Sequence, residues 1–488
     1  MTKGLYMRLE SSSTVTALRA GMWVIVAAAL SACTMIPKYE RPAAPVAAQF
    51  PGQAASAPAS ATGQAAADIE WKTFFTDPRL KRLIELSLQN NRDLRVAVLN
   101  IEQARAQFQI RRADELPTIA AAATGSRVPG ANGSIVSTYT AGLAVSTYEL
   151  DLFGRVRSLS QQALAQYFAT EEASKAAQIS LVSSVAIGYL NLLADDELIA
   201  LTRQTLVTRQ DSNRLTQLRF DNGAASELDL RQAQSLVESA KGTLAGQIRQ
   251  RMLDINALTL LIGQPIPEDL PQGQNLTSQL LADLPAGLPS ELLANRPDIR
   301  QAEQQLLASN ANIGAARAAF FPRISLTGSV GSASNHLSDL FQSGSYAWSF
   351  APQISLPIFD SGRNQATLDA SKVGRDIAVA QYERAIQSAF RDVSDALAGR
   401  ETLLEQLRAQ RAQADAEGAR FRLSDLRYQN GVSSYLDLLD AQRSLFTAQQ
   451  AAIQTQATQL QNLVTMYRVL GGGWTQSTAA TAPSSISK

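Results

Sequence analysis

A stretch of twenty residues occurs twice in this chain, and this repetition constrains the fold more than any other feature. Residues 215–234 return 208 positions later as residues 423–442. The positions that are identical in the two copies include, in the numbering of the first, Leu218, Arg219, Asn222, Gly223, Ser226, Leu228, Asp229, Leu230, Ala233 and Gln234. A repeat of this length indicates two related structural units in tandem.

Each copy has the residues of a turn between two helices. Asn222-Gly223 suits the positive φ found just past a helix end, and Ser226 followed by Asp229 is the Ser-x-x-acid pattern that caps the next helix. The second copy repeats these signals in Asn430, Gly431, Ser434 and Asp437. Each half of the chain is therefore predicted to contain an antiparallel helical hairpin.

The helices of these hairpins are predicted to be long. Residues 155–219 and 363–427 contain no proline, and at 1.5 Å per residue each helix would extend about 100 Å. Their apolar residues recur at steps of three and four, which is the spacing of a coiled coil. Shorter helices are predicted after the turns, over 226–262 and 434–470.

Between the first and the long helix of each half, the apolar period changes from helical to two. In the first half a helical pattern stops at Pro117, and strands are predicted over 118–127 and 139–151. In the second half, Tyr346, Trp348 and other apolar residues alternate with small polar ones. Transmembrane β-strands and half-buried strands of soluble proteins both show this alternation, so the strands alone leave the two interpretations open.

The N-terminus predicts export and lipidation. Residues 1–32 combine basic residues, a short apolar run and small residues, as in a secretory signal peptide. The motif Leu-Ser-Ala-Cys that ends at Cys33 resembles a bacterial lipobox, so lipid is predicted on Cys33; a signal with an incidental cysteine is the alternative. An aspartate directly after the cysteine would resemble an inner-membrane retention signal; Thr34 stands there instead, which favours delivery to the outer membrane. Translation could begin at Met1 or at Met7.

The repeat and local composition set the remaining boundaries. We predict a lipidated N-terminal tether over 33–67, rich in proline, alanine, glutamine and serine. The first repeat then covers 68–263, a linker 264–290 and the second repeat 291–474, and a disordered tail follows at 475–488.

The composition argues against catalysis and against nucleic acid as a partner. The chain has one cysteine and one histidine, and it lacks a Ser/His/Asp or metal-binding constellation. Its net charge is only +1. We therefore predict a protein that is not an enzyme, with no metal and no cofactor apart from the covalent lipid on Cys33.

Four membrane strands from one chain cannot close a barrel. An open sheet edge in lipid would leave backbone groups without hydrogen-bond partners, so other copies must complete the barrel. The predicted fold class is a mixed α and β membrane protein. Three copies, each of two tandem repeats, would form a twelve-stranded β-barrel continued by a long α-helical coiled-coil barrel.

Several motifs resemble the outer-membrane factor (TolC-like) family of tripartite efflux pumps, specifically its OprM-like lipoprotein branch. They are residues 71–80, the repeated Leu-Arg-aromatic-x-Asn-Gly turn, residues 435–446 and the Leu-Gly-Gly-Gly-Trp run at 470–474. The resemblance implies a lipid-anchored homotrimer in the outer membrane of a Gram-negative bacterium, with most of the chain in the periplasm. It also implies a duct for drugs or other small molecules, served by a periplasmic membrane-fusion adaptor and an inner-membrane RND-type transporter.

The resemblance also implies site residues. Leu436 and Asp440 would form the rings of a periplasmic gate, with Arg443 in the charged network that holds the helices inward; from the residues alone, Asp440 and Arg443 could equally be a solvated pair. The expected adaptor contacts at the two helical tips are Arg219, Asn222, Gly223, Arg427, Asn430 and Gly431.

Three other classes of protein share some of these features. A periplasmic coiled-coil adaptor would share hairpins and a lipobox, but it needs a lipoyl-like or small β-barrel domain. A cell-envelope enzyme lacks its chemistry here, and an outer-membrane channel for polypeptide secretion is disfavoured by the lipobox and the family motifs. The sequence does not specify the exported compounds or the partner pump.

Overall fold

The computed structural model describes residues 34–47, 50, 69–131, 133–278, 280–282 and 295–474. Its helices are α1 (Trp71–Phe74), α2 (Pro78–Asn90), α3 (Arg92–Ala113), α4 (Arg155–Asp221), α5 (Glu227–Ile262), α6 (Pro297–Ala318), α7 (Arg363–Gln429) and α8 (Tyr435–Val469). Its strands are β1 (Ile119–Pro129), β2 (Ile135–Glu149), β3 (Arg323–Ser334) and β4 (Tyr346–Ser355). The predicted signal peptide, Cys33 and the tail lie outside the described residues.

The elements follow the predicted order twice. A helix, two strands, a long helix and a shorter helix appear as α3 to α5 and again as α6 to α8, and α4 and α7 each contain 67 residues. The predicted strands and helical hairpins are confirmed in kind. The helical pattern before Pro117 is not continuous, however, because the extended backbone of Asn91 separates α2 from α3.

The chain divides into two compact units. The first contains residues 1–43, 100–170 and 301–383, including the whole sheet, and the second contains the rest, including both helical turns. Each unit takes segments from both halves of the sequence. The repeat boundaries thus describe order along the chain, and the division into repeats stays a prediction.

The sheet of the first unit is antiparallel and has two distinct faces. Its strand order is β1-β2-β3-β4, so β1 and β4 are the edges. On one face, the hydroxyls of Thr124 and Thr140 lie 2.6 Å apart, and those of Ser329 and Ser349 lie 2.7 Å apart. On the other face, apolar side chains form a row across three strands in register, Leu143, Val330 and Trp348.

The apolar face of the sheet is exposed rather than packed on a core. Trp348 is 69% and Phe350 64% exposed, and the other large apolar residues of β4 are equally open. A contiguous exposed apolar face of this kind marks a surface that contacts a membrane or another protein.

The residues that follow the predicted lipidation site are docked on α6. The Asn310 side chain donates to the Pro37 carbonyl at 2.8 Å, and Arg41 makes two hydrogen bonds to Glu303 at 2.7 and 2.5 Å. Tyr39 also donates to Glu303, at 3.0 Å. The start of the predicted tether therefore packs, through polar contacts that its composition did not indicate.

The second unit has an aromatic core where α1 and the start of α2 meet the end of α8. Phe74 stacks on Tyr467 with ring centroids 4.1 Å apart, and the Tyr467 hydroxyl donates to the Ile69 carbonyl at 2.5 Å. Buried Asp77 caps α2 by accepting from the backbone N–H groups of Arg79 and Leu80 at 2.7 and 3.0 Å. These contacts join the N-terminal helices to the end of α8.

Among the described helices, only α4 is long and apolar enough to cross a membrane. It contains an 18-residue window of mean hydropathy 1.5, of which 39% is buried. Val185, Ala186 and Leu190 of this helix are fully buried. Packing inside the second unit thus accounts for part of its apolar character.

Candidate functional site

The two turns between the long and short helices have the same geometry. Gly223 and Gly431 have φ values of 71° and 73°. The N–H of Ala224 donates to the Arg219 carbonyl at 2.7 Å, and the N–H of Val432 donates to the Arg427 carbonyl at 2.9 Å. A glycine with positive φ followed by this long backward hydrogen bond is a Schellman motif, which ends a helix and reverses the chain.

The helices after both turns begin with capping boxes. The Ser226 hydroxyl accepts from the N–H of Asp229 while the Asp229 carboxylate accepts from the N–H of Ser226, at 3.1 and 3.2 Å. Ser434 and Asp437 form the same reciprocal pair. The predicted turn chemistry is therefore confirmed in both halves.

The glycines of the turns should tolerate substitution worse than helical glycines. No atom lies within 4 Å of a Cβ added at Gly431 or at Gly246, which lies within α5. We expect Gly431→Ala to lower the free energy of unfolding by about 1–2 kcal/mol, because the left-handed backbone penalises any side chain. Gly246→Ala should raise it by about 0.5–1 kcal/mol. Paired thermal denaturation measures both, and shifts of equal sign would contradict the assignment.

The two turns lie side by side and share one core. The guanidinium of Arg219 lies 4.5 Å from the centroid of the Tyr428 ring, which joins the first hairpin to the second. A buried cluster beneath them contains Ala233, Leu236, Tyr428, Tyr435, Leu438 and Leu439. The two turns together form the helical tip of the second unit, and the surface of this tip exposes Asn222, Gly223, Arg427, Asn430 and Gly431. It also exposes more than half of each apolar side chain among Leu218, Leu228, Leu423, Leu426, Val432 and Leu436.

The three predicted gate residues follow the second turn on α8. Leu436 is 59% exposed, and Asp440 and Arg443 are exposed as well. Asp440 forms an ion pair with Arg420 of α7, and Arg420 also contacts Glu417 at 3.2 Å. Arg443 forms no ion pair with Asp440 within the described residues. The structure thus brings Asp440 together with a cation of the preceding helix.

Arg420 is the residue that sequence reasoning missed. Arg420 and Asp440 are each ten residues from Asn430, and residues equidistant from a tight turn lie opposite each other in a helical hairpin. Their counterparts in the first half are Ser212 and Gln232, so an ion pair cannot form there. The equal spacing of Arg420 and Asp440 from the turn is the sequence signal that could have found this pair. Because the matching residues of the first half are uncharged, the two halves differ at this level.

A pair of carboxyl groups, Asp195 of α4 and Asp254 of α5, lies farther from the turns. Asp195 is only 8% exposed. Burial, and next the hydrogen bond with Asp254, raise the pKa of Asp195 to about 7. The neighbouring Asp196 is paired with Arg251 at 2.6 Å on the exposed side of these helices. The interface of α4 with α5 therefore contains a carboxyl group that favours its protonated form.

This carboxyl should make stability depend on pH. The raised pKa means that the folded chain holds a proton that the unfolded chain has lost, so stability falls as the pH rises from about 4 to about 7. Asp195→Asn should raise the melting temperature at pH 8, leave it nearly unchanged at pH 4, and remove up to about 4 kcal/mol of pH dependence per chain. Glu238→Gln, which changes an exposed carboxylate of α5, is the control. Parallel pH profiles for wild type and Asp195→Asn would contradict this prediction.

The fold and these sites define a class of protein. A sheet with an exposed apolar face is combined with two long helical hairpins in a duplicated order of elements. Such a chain combines a sheet whose apolar face is open to a further partner with the long helical hairpins typical of a coiled coil.

Comparison with known proteins identifies the family. A sequence profile described as outer membrane efflux protein matches residues 83–264 and 288–472. The chain belongs to this family, which confirms the resemblance found in the sequence. It is an outer-membrane efflux protein of the kind found in Gram-negative bacteria.

Individual relatives are similar over nearly their whole length. The chain is 49% identical to the probable efflux pump outer membrane protein TtgC of Pseudomonas putida, covering 93% of this chain and 95% of TtgC. It is 47% identical to the outer membrane protein OprJ of Pseudomonas aeruginosa, covering 92% and 95%. The open state of the Neisseria gonorrhoeae MtrE outer membrane channel is similar in structure, with a TM-score of 0.83, 46% identity and coverage of 91% and 99%.

Proposed function

We propose that three copies of this chain form a duct that carries small molecules across the outer membrane. In this assembly the sheets close into a twelve-stranded β-barrel, and the helices continue it as a coiled-coil barrel into the periplasm. The observation that carries the proposal is the open four-stranded sheet with its exposed apolar face. Its edges need partners in lipid, and further copies of the same sheet supply them.

The inner face of the sheet favours three copies over two. The interior of an eight-stranded barrel is just wide enough for side chains to fill. This face, however, carries small side chains such as Thr124, Thr140, Ser329 and Ser349. Twelve strands lined by small hydroxyl groups would leave an aqueous lumen.

Helix α3 supports the same assembly. None of its side chains is buried in the single chain, and Val96, Val98, Leu99 and Ile110 are about half exposed or more. Its counterpart α6 buries residues such as Ile299, Leu306 and Ile313. A neighbouring copy would cover the apolar side chains of α3.

The gate of this duct would lie after the second turn. We place Leu436 and Asp440 at the constriction, where three Arg420–Asp440 pairs would tie α7 to α8 around the lumen. Arg443, about one turn farther along α8, would belong to the charged network that holds the helices inward. Separation of the hairpins would then widen the ring.

The helical tips would receive the periplasmic adaptor. They combine exposed leucines with Arg219, Asn222, Gly223, Arg427, Asn430 and Gly431. We propose that an adaptor binds there and passes on cargo from an inner-membrane RND-type transporter. The chain itself would do no chemistry, and its only bound group would be lipid on Cys33, just before the segment docked on α6.

Planar-bilayer recording of the purified protein tests the proposal. Small, stable, cation-preferring currents are expected for a duct that is closed at rest and has acidic side chains at its constriction. The absence of current from a protein that is folded and inserted would overturn the channel and favour a lipid-anchored adaptor.

A further inference from the structure

A half-open cavity between α4, α7 and α8 has a buried positive charge in its lining. The cavity measures about 120 Å³ and is lined by residues that include Gln204, Arg209, Phe421, Gln442, Leu445 and Phe446. It lies wholly within the second unit, above the cluster that supports the turns. None of the roles proposed above uses it.

Arg209 is the unusual member of this lining. Its side chain lies with only 5% of its surface exposed, and one of its terminal nitrogens donates to the Leu236 carbonyl at 3.2 Å. Its Nε–H has no hydrogen-bond acceptor among the described residues. A guanidinium keeps its charge when buried, so an unsatisfied donor on it is costly.

The groups around Arg209 do not neutralise it. No carboxylate in the described part of the chain forms an ion pair with it, and the charged group that faces it is a second cation, Arg443. Burial first, and then Arg443, hold the pKa of Arg209 below its usual value. Buried charges in proteins are normally paired, so this site has the electrostatics of an anion site.

The rest of the lining sets the shape and polarity of a ligand. The Phe446 ring centroid lies 5.2 Å from the guanidinium carbon, and Phe421 and Leu445 extend the apolar side. Gln442 is 8% exposed, and its amide oxygen accepts no hydrogen bond from the described residues. The cavity is smaller than an engineered cavity of about 150 Å³ that accepts benzene, but it opens to solvent beside exposed Gln204 and Thr208, so part of a ligand larger than benzene can extend out of it.

We propose that this cavity binds a small aromatic monocarboxylate, with the carboxylate against Arg209 and the ring against Phe421 and Phe446. The carboxylate accepts from the free Nε–H and neutralises the guanidinium. The ligand contacts α4, α7 and α8 together, so its binding stabilises the packing of these helices. The site lies within one chain and does not depend on the proposed assembly.

The test compares benzoate with benzamide, a neutral molecule of the same shape, on the purified full chain. Isothermal titration calorimetry should show benzoate binding at least tenfold more tightly, and benzoate alone should raise the melting temperature. Arg209→Gln should weaken benzoate by about 10- to 100-fold. Arg203→Gln, which changes an exposed arginine six residues earlier on α4, should leave the affinity for benzoate unchanged.

Three results would overturn the proposal. They are equal affinities for benzoate and benzamide, absence of binding by either, and equal benzoate affinities of wild type and Arg209→Gln. If Arg209→Gln does not fold, Arg209→Lys keeps the charge and should retain the preference for benzoate; loss of that preference in a folded Arg209→Lys protein would count against the site. A cryo-EM map with a side chain of a second copy filling the cavity would also refute it.

Discussion

Asp440→Ala should increase the single-channel conductance several-fold and reduce its preference for cations. In the proposed trimer this substitution removes three carboxylates from one ring and releases α8 from Arg420 of α7. Rings of acidic side chains select cations, so their removal weakens selectivity while the constriction widens. Planar-bilayer recording with a salt gradient measures both quantities in one experiment.

The opposite variant makes this prediction specific. Arg420→Ala also breaks the pair, but it leaves the carboxylates unpaired, so conductance should rise while cation preference increases. Gln232→Ala is the matched control, because Gln232 occupies the position of Asp440 in the first half and has no ion-pair partner. Unchanged conductance and selectivity in both gate variants would place the constriction elsewhere.

Phe350→Arg should abolish insertion of the assembled protein into the outer membrane. Phe350 lies at the middle of β4 on the apolar face and is 64% exposed. An arginine on the lipid face near the middle of the bilayer costs about 2–4 kcal/mol, and three copies would incur this cost together. Heat-modifiable gel mobility of outer-membrane fractions, with immunoblotting, measures the assembled fraction.

The neighbouring residue provides the control. Ser349 points to the opposite face, where its hydroxyl lies 2.7 Å from that of Ser329. Ser349→Arg should therefore assemble normally, because its charge would face the aqueous lumen, and it should alter only ion selectivity. Normal assembly of Phe350→Arg, or failure of both variants alike, would contradict a lipid-facing apolar side.

The features predicted best from sequence are those that depend on neighbouring residues. The Schellman turns and capping boxes need only Asn-Gly and Ser-x-x-Asp, and both were found as expected. The strands were located because alternation is local too. In contrast, the helix break at Asn91 depends on its backbone conformation, which the continuing apolar pattern concealed.

The contacts that sequence could not give are those between distant segments. Docking of residues 34–41 on α6 depends on Glu303 and Asn310, more than 250 positions away. Burial of Arg209 depends on contacts with other helices, such as those with Leu236 of α5 and Phe446 of α8, since nothing in its own helix distinguishes it from exposed Arg203. Such sites depend on which helices meet, and periodicity identifies only the face of each helix.

The number of copies in the assembly tests the central claim most directly. Native mass spectrometry of the full-length protein, extracted from outer membranes in mild detergent, counts the chains and weighs any lipid on Cys33. The account predicts a complex of three chains, because three four-stranded sheets are needed for the proposed barrel. A folded, membrane-inserted protein that is a monomer or a dimer would contradict the trimeric duct.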